Sequence, residues 1–416
     1  METKNTITVF EHQSLRINKG DSTLPIDTLE ALRKFYGESG VPYYSLIHNG
    51  VKFNSFVGVI KVGKYTIEVL PKADNNNDKK ENDWRDILIG MLRSIGAFQV
   101  SAPSMTNLKL KSNSILDLYI ELFISEVEFL LNKGLIKQYH KIEGNQKSLK
   151  GTMLFSKNIV KNLVHQERFY VRSSIYDSQH TLNSVLYKTI KLLKQINSNV
   201  NLSSRIGSLL LNFPEMKDLT VNDAFFERIA YNRKNEDYKN GILIARLLLL
   251  NYHPDLSNGK SNVLALMFDM NLLWEQFIYK SLKKGLYKYI PEASITSQSN
   301  FKFWKPSQGN VMRLKPDIVI KTNENDYLIL DTKWKNLNGK KPSPDDLRQM
   351  YTYSKFHKNA ITVLAYPGLK NISESVFINE TESNKDGAPC KIIEIPVMKN
   401  IQEWQNEICE IVFGEE

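Results

Sequence analysis

The sequence predicts an α/β protein in three parts: a β-rich N-terminal region, a largely helical middle region and a C-terminal mixed sheet flanked by helices. Alternating apolar residues dominate positions 1–73, and helical periodicity dominates positions 87–251. After position 261 the order becomes helix, two strands, helix and strand. A mixed sheet with covering helices requires this order.

Two polar runs, at 74–80 and 253–260, mark the expected boundaries between the three parts. We therefore expect domains at 1–100, 101–255 and 256–416. The chain has 416 residues, of which 42% are hydrophobic and 24% charged. This composition is that of an ordinary globular protein, and the length suits two or three domains.

Individual elements follow from the spacing of the apolar residues. Helices are predicted at 29–36, 87–95, 115–131, 181–196, 238–251, 268–279 and 344–358. In the C-terminal part, strands are predicted at 312–320, 327–335 and 361–366.

The first two of these C-terminal strands carry two carboxylates and a lysine. Asp331 and Lys333 point the same way, because side chains alternate faces along a strand. In the preceding strand, Asp317 faces away from the apolar residues, an alternation typical of a strand buried on one side. A hairpin turn centred on Glu324 would set Asp317 opposite Asp331, with Cβ atoms about 5 Å apart.

Two carboxylates this close repel each other unless they share a proton or bind a cation, and oxygen ligands with open water positions suit Mg²⁺. A bound divalent ion lowers the pKa of its water and stabilises charge on a phosphate, while a nearby lysine can orient the water. Asp317 and Asp331 are therefore candidate metal ligands, and Lys333 is a candidate catalytic residue. The alternative is a solvated surface, because acidic residues two positions before a lysine recur in the chain without a preceding apolar strand.

Two predicted helices extend this candidate site. Glu275, on the helix at 268–279, can supply a third carboxylate to the metal, the alternative being a solvated glutamate. Gln349 and Tyr353 lie four residues apart on the helix at 344–358 and so share a face. We take these two as auxiliary site residues.

The net charge of +10 favours a polyanionic partner. Between positions 301 and 358 there are twelve Lys and Arg and six Asp and Glu, a balance of +6. The candidate DNA-binding residues, which follow the strand at 327–335, are Lys335, Lys340, Lys341 and Arg348. Contacts from such residues to phosphates position a duplex without reading its sequence.

A second basic stretch lies in the middle region. Its members are Lys133, Lys137, Lys141, Lys147, Lys150, Lys157 and Lys161. Contact with DNA and contact with an acidic protein surface explain this stretch equally well.

Other classes of function are disfavoured. Cys390 and Cys409 are the only cysteines and form no metal-binding motif, so neither a disulfide framework nor a zinc site is expected. No secretory signal and no apolar run of about 20 residues is present, so we expect a cytoplasmic protein without a membrane role.

Gly259-Lys260-Ser261 resembles the end of a phosphate-binding loop, but Pro254 occupies the position of its first glycine. We therefore expect this chain to bind no nucleotide.

The motifs resemble a known family. Pro316-Asp317, Asp331-Thr332-Lys333 and Gln349-x-x-x-Tyr353 are similar to the PD-(D/E)xK nuclease superfamily, in the branch with a Gln-x-x-x-Tyr helix after the catalytic strands. Within this superfamily the chain most resembles the McrC family, the nuclease subunit of McrBC-type 5-methylcytosine-dependent restriction systems. The similar segments are 58–60, 65–72, 87–93, 268–275, 314–319 and 330–335. The likeness is weaker in the middle region, at 149–152 and 181–183.

The resemblance implies a Mg²⁺-dependent DNA endonuclease whose metal is held by Asp317, Asp331 and the helix carboxylate Glu275, with Lys333 in catalysis. GTP hydrolysis would belong to a separate hexameric AAA+ GTPase of the McrB type, which also recognises methylated double-stranded DNA. The N-terminal domain would dock on this motor and stimulate it, and the middle region would contact the partner or DNA. The biological setting would be antiviral defence.

Two alternatives remain from the residues. The first is a PD-(D/E)xK nuclease that acts alone, in repair or in another restriction system. The second is a non-enzymatic, basic adaptor that binds DNA and activates an AAA+ motor. The joint presence of Asp317, Asp331 and Lys333 on one predicted face disfavours the adaptor.

Overall fold

The computed structural model describes residues 6–17, 23–73, 80–96, 114–254, 262–322, 326–357, 360–378 and 387–414. The Gly259-Lys260-Ser261 run, Glu324 and Lys358 lie outside these ranges. The chain forms two compact units, Met1–Gln99 with Pro254–Glu416, and Val100–His253. The two ends of the chain thus belong to one unit. The roles assigned to residues 1–100, 101–255 and 256–416 stay predictions.

The elements of the chain are as follows. In the N-terminal part they are β1 (Thr6–Phe10), β2 (Ser14–Arg16), α1 (Ile26–Tyr36), β3 (Tyr44–Ile47), β4 (Gly50–Phe53), β5 (Phe56–Val62), β6 (Tyr65–Leu70) and α2 (Glu81–Ser94). In the middle part they are α3 (Ile115–Lys133), β7 (Gln138–Gln146), β8 (Thr152–Met153), α4 (Phe155–Asn162), β9 (Phe169–Asp177), α5 (Thr181–Ile196), α6 (Val200–Asn212), α7 (Asp223–Glu227), α8 (Lys239–Leu250) and β10 (Tyr252–His253). In the C-terminal part they are β11 (Val263–Asp269), α9 (Met270–Tyr289), β12 (Ser294–Ser297), β13 (Phe301–Trp304), β14 (Met312–Leu314), β15 (Ile318–Lys321), β16 (Tyr327–Thr332), α10 (Pro344–Phe356), β17 (Ala360–Pro367), β18 (Asn371–Val376), β19 (Pro389–Ile395) and α11 (Ile401–Phe413).

The N-terminal part of the first unit is built on a sheet in which β1, β6, β5 and β11 are neighbours in that order. β1 pairs with β6 in parallel, whereas β5 pairs with β6 and with β11 in antiparallel fashion. Leu29 and Leu32 of α1 pack against this sheet in a core that includes Val9, Ile60 and Ile67. β11, although it follows the middle part of the chain, therefore completes the N-terminal sheet.

The C-terminal sheet has six strands in the order β12, β15, β16, β17, β19 and β18. β16, β17 and β19 are parallel, and the other pairs are antiparallel, so the sheet is mixed. α10 connects β16 to the parallel β17, as a parallel pair requires. Met350 and Tyr353 of α10 pack on the sheet face that carries Ile329 and Leu364. α10 thereby covers the sheet face that also carries Asp331.

The second unit combines helices with a small sheet. α3, α5, α6 and α8 pack against one another, and β7, β9 and β8 form a three-stranded antiparallel sheet. The predicted fold class is confirmed: a β-rich N-terminal region, helices in the middle and a C-terminal mixed sheet with flanking helices. The sheet in the middle region was not predicted.

The predicted strand at 312–320 is wrong in two respects. It is divided into β14, which forms a two-stranded sheet with β13, and β15, which belongs to the six-stranded sheet. Ile318, Val319 and Ile320 are all buried, so β15 is covered on both faces rather than on one. Pro316 lies between the two strands, where it has no N–H to donate to a ladder.

None of the helices in the described ranges combines the length and hydropathy that crossing a bilayer takes. Cys390 and Cys409 are buried free thiols.

Candidate active site at the ends of two paired strands

The strand register brings the two candidate aspartates to one place. β15 and β16 pair with Ile318 opposite Leu330, and one further step along this register sets Asp317 opposite Asp331. Asp317 Oδ2 accepts hydrogen bonds from the backbone N–H and the hydroxyl of Thr332, at 2.7 and 3.0 Å. The register is the one expected for a turn centred on position 324.

Asp331 is fully buried and contacts two of the predicted site residues. Gln349 Nε2 donates to Asp331 Oδ1 at 2.8 Å, and Lys333 Nζ lies 2.6 Å from Asp331 Oδ2. Gln349 Nε2 also donates to the Tyr353 hydroxyl at 2.9 Å. Asp331, Lys333, Gln349 and Tyr353 thus form one connected group.

In this group, burial and mutual repulsion make it unfavourable for Asp317 and Asp331 both to be ionised without a cation beside them. Burial raises the pKa of Asp331, the neighbouring Asp317 raises it further, and Lys333 opposes both effects. Burial likewise raises the pKa of Asp317, against the hydrogen bonds from Thr332. A positive charge beside the two aspartates would therefore stabilise their ionised forms.

Lys333 is a cation in this arrangement. Burial lowers its pKa, but the carboxylates of Asp331, Asp317 and Asp346 together outweigh burial and the net shift is upward. Its Nζ also lies 3.4 Å from Gln349 Oε1. Because the ammonium keeps its proton, Lys333 can orient or neutralise charge but is not suited to accept a proton.

Glu275 lies near the same group and is not a solvated glutamate. Its side chain belongs to the buried set, and its pKa is raised to about 7 by burial and then by Asp317, with a hydrogen bond from Gln298 opposing. α9, which begins at Met270 directly after β11, positions this carboxylate. The predicted helix start at 268 is therefore two residues too early.

A magnesium ion fits the chemistry of these side chains in part. All the donors are carboxylate oxygens, and the buried Asp331 Oδ2 has no aligned hydrogen bond besides its ion pair with Lys333. Among the residues that the structure describes, no three His, Cys, Asp or Glu side chains are grouped closely enough to hold one metal ion. The pair Asp317 and Asp331 remains, and Mg²⁺ is usually bound through one or two carboxylates with water completing its shell.

Of the four candidate DNA-binding residues, two are paired with carboxylates and two are exposed. Lys335 Nζ lies 2.6 Å from Asp346 Oδ2, and Arg348 is paired with Asp345 at 2.7 Å. Lys340 and Lys341 are exposed. Two of the four are thus already neutralised by carboxylates of α10, and their DNA contact stays a prediction.

Several residues around the site were missed by the sequence reasoning. Thr332, which lies between Asp331 and Lys333, could have been predicted from the sequence, because a hydroxyl at the end of a strand can donate a hydrogen bond to a facing carboxylate. Asp346 receives a hydrogen bond from the buried Tyr366 at 2.9 Å. Glu11 accepts a hydrogen bond at 2.7 Å from Trp334 Nε1, from a position 323 residues away, and no local pattern indicates such a pair.

Comparison with known proteins places the fold. A chain of the refined half-complex from the tetradecameric assembly of Thermococcus gammatolerans McrB AAA+ hexamers with bound McrC matches 98% of this chain and 100% of its own length, with a TM-score of 0.73 and 20% identity. A chain of the cryo-EM structure of the Thermococcus gammatolerans McrBC complex matches 68% of this chain and 89% of its own length, with a TM-score of 0.52 and 21% identity. At these identities the likeness shows a shared fold. No curated protein matches the chain.

The sequence family is shown separately. Residues 51–367 match the family described as McrBC 5-methylcytosine restriction system component. This span is more than half of the chain, and the chain belongs to that family. The predicted membership of the McrBC-type family is thereby confirmed.

Proposed function

We propose that this protein is the Mg²⁺-dependent DNA endonuclease subunit of a modification-dependent restriction system and acts together with an AAA+ GTPase. The observation that carries the proposal is the ion pair between the buried Asp331 and the partly exposed Lys333 beside Asp317, at the ends of β15 and β16. Family membership supplies the setting, a 5-methylcytosine restriction system.

Asp317 and Asp331 would hold the magnesium ion. When bound, the ion would supply an acidic water and positive charge for the scissile phosphate. Gln349 donates to one oxygen of Asp331 and so fixes the direction of the other. Thr332 does the same for Asp317 through two hydrogen bonds. Both carboxylates are therefore oriented by neighbours that do not themselves react.

Lys333 would act as a charged group beside the reacting phosphate. Its ammonium contacts Asp331 and Gln349, so its position is restrained from two sides. A cation held in a partly buried site stabilises developing negative charge more strongly than a solvated one. Glu275, whose pKa is raised to about 7, would act as a third carboxylate near the metal. It would join Asp317 and Asp331 as a metal ligand only after its side chain rearranges.

The AAA+ partner is proposed from the related assemblies, which contain McrB AAA+ hexamers with bound McrC. GTP would be bound by that partner and not by this chain. The second unit supplies a surface suited to protein contact, because α4 and the residues after it expose large apolar side chains: Phe155, Ile159, Val160, Leu163 and Val164. Contiguous exposed apolar residues of this kind mark interaction sites.

A reconstitution tests the proposal. The chain, a McrB-like GTPase, GTP, Mg²⁺ and double-stranded DNA with or without 5-methylcytosine are combined, and DNA cleavage and GTP hydrolysis are measured. We expect cleavage only with partner, GTP, Mg²⁺ and methylated DNA together, and faster GTP hydrolysis when the chain is added. Cleavage that ignores partner and methylation would indicate a nuclease that acts alone, and stimulation of GTP hydrolysis without cleavage would indicate an adaptor.

A further inference from the structure

We propose that the two-stranded ribbon of β13 and β14 is the element that grips duplex DNA and lies in its major groove. This inference rests on the proposed function and specifies how the substrate is held. The ribbon is separate from the six-stranded sheet. It leads directly into the candidate site, because only Lys315 and Pro316 separate β14 from Asp317.

The base of the ribbon is anchored in the core of the first unit. Phe301 pairs with Leu314 across the two strands. The ring of Phe301 lies 4.5 Å from the His357 ring, centroid to centroid, and Leu314 packs against the hydrophobic cluster that contains Met350 and Tyr353. The start of the ribbon is thereby fixed to α10 and to the sheet that carries the site.

Beyond this base the ribbon is exposed and basic. No acidic residue occurs between Glu292 and Asp317. The cations of this segment, which form no salt bridge within the described ranges, are Lys302, Lys305, Arg313 and Lys315. Lys335 and Arg348, in contrast, are paired with carboxylates. Unpaired positive charge is thus present on the ribbon and on the residues that directly follow its two strands.

The pairing of the two strands itself indicates that the ribbon binds an anion. Lys302 lies directly opposite Arg313, and like charges at such cross-strand positions destabilise a strand pair. The arrangement is explained if a phosphate group lies between the two side chains when the ligand is bound. A two-stranded β-ribbon also has the dimensions of the major groove of B-DNA, which is about 12 Å wide.

The other exposed side chains of the ribbon are apolar. Trp304 pairs with Met312, and a register shift falls between Lys302 and Trp304. Trp304 is 55% exposed and Met312 is 58% exposed. An exposed tryptophan on a basic ribbon is suited to pack on the edges of bases, where apolar contacts supplement the phosphate contacts.

The test uses the full chain, an unmodified 30-base-pair duplex, and buffer without divalent metal so that binding is measured apart from cleavage. The double variant Lys302→Gln with Arg313→Gln is compared with Lys280→Gln with Lys288→Gln, which removes two exposed charges from α9. We expect the ribbon variant to bind about tenfold more weakly and to lose about two units from the slope of log affinity against log salt. The control variant should keep the slope of the unchanged protein.

Tryptophan fluorescence gives a second readout. All five tryptophans are described, and the other four, Trp84, Trp274, Trp334 and Trp404, are buried. DNA should therefore change the emission of Trp304 alone, and Trp304→Phe should abolish the change.

An equal salt slope in the ribbon and control variants, or an unaltered fluorescence change in Trp304→Phe, would overturn the ribbon assignment. In either case cleavage by the reconstituted complex would still stand. Failure of the proposed function is distinct, because the unchanged protein would then not cleave DNA in the reconstitution at all.

Discussion

Asp331 is the residue on which the candidate site depends. Its side chain is buried, and both of its oxygens contact side chains of the site, Gln349 on one side and Lys333 on the other. A buried carboxylate with a cation beside it is costly for folding stability unless the charges are paired and hydrogen-bonded. Perturbed carboxylates of this kind are concentrated in functional sites.

Gln349 provides a first prediction at the residue scale. Gln349→Met removes the hydrogen bond to Asp331 while it keeps the length of the side chain, so the carboxylate loses its orientation. We expect DNA cleavage to fall about 10- to 100-fold, the range typical when a group that orients a metal ligand is removed. Cleavage rates of the reconstituted complex measure the effect.

The matched control is Gln276→Met, the same substitution at an exposed position of α9. It should leave cleavage unchanged. Equal rates for Gln349→Met and Gln276→Met would show that the hydrogen bond to Asp331 has no part in the reaction.

At the scale of elements, the N-terminal β-structure is joined to the end of β16. Trp334 directly follows Lys333, and its Nε1 donates to Glu11 Oε1, which also accepts from the backbone N–H of Lys72 at 2.9 Å. The Trp334 ring packs against Trp274 of α9, with centroids 5.2 Å apart. Segments of the N-terminal and C-terminal parts therefore meet beside the candidate catalytic lysine.

Glu11 makes stability depend on pH. Its pKa is raised from 4.5 to about 7, chiefly by burial. Between these values the unfolded chain has released the proton and the folded chain keeps it, so stability falls as pH rises from about 4.5 to 7. The full penalty, on the order of 3 kcal/mol, is present above pH 7.

Glu11→Gln should remove this penalty, because the amide oxygen can still accept from Trp334 and Lys72. We expect the variant to be more stable than the unchanged protein at pH 8 and close to it at pH 4.5, by urea unfolding at both values. Glu30→Gln, at an exposed position of α1, should show no such difference. A Glu11→Gln variant that is less stable at pH 8 would contradict the account.

The elements also show which structural features could be predicted from the sequence. The helix α5 has the predicted bounds, Thr181–Ile196, because its apolar residues recur with helical period on one buried face. The register of β15 and β16 was predictable because two apolar runs flank one short polar turn. Local periodicity was therefore sufficient for α5 and for the pairing of β15 with β16.

Other features could not be predicted from local pattern. β7 alternates between exposed and half-buried residues and contains no fully buried position, so its sequence lacks the apolar alternation of a core strand. The division between β14 and β15 depends on Pro316 and on which partner strand each segment finds. The contact of Glu11 with Trp334 joins positions 323 residues apart, and only the folded chain brings them together.

At the scale of the whole molecule, assembly with a partner is expected to involve the exposed apolar side chains of α4. Ile159→Asp introduces a charge into this surface without disturbing a core, because the side chain is 63% exposed. We expect association with a McrB-like hexamer to weaken at least about tenfold, since an unpaired charge must then be desolvated. Size-exclusion chromatography with light scattering measures the assembly.

Val200→Asp is the control for this prediction, because Val200 is an exposed apolar residue at the start of α6, outside the α4 surface. Its assembly should match that of the unchanged protein. If Ile159→Asp assembles equally well, the motor partner binds elsewhere on the chain.

The central claim is that Asp317, Asp331 and Lys333 form a phosphodiester-cleaving site. The most direct measurement compares Asp331→Asn with Asp345→Asn, a change of the same kind at an exposed position of α10, in the reconstituted complex on methylated DNA. The account predicts that Asp331→Asn lowers cleavage by about 10³-fold or more, while folding, assembly and stimulated GTP hydrolysis persist, and that Asp345→Asn cleaves normally. Normal cleavage by a folded Asp331→Asn variant would contradict it.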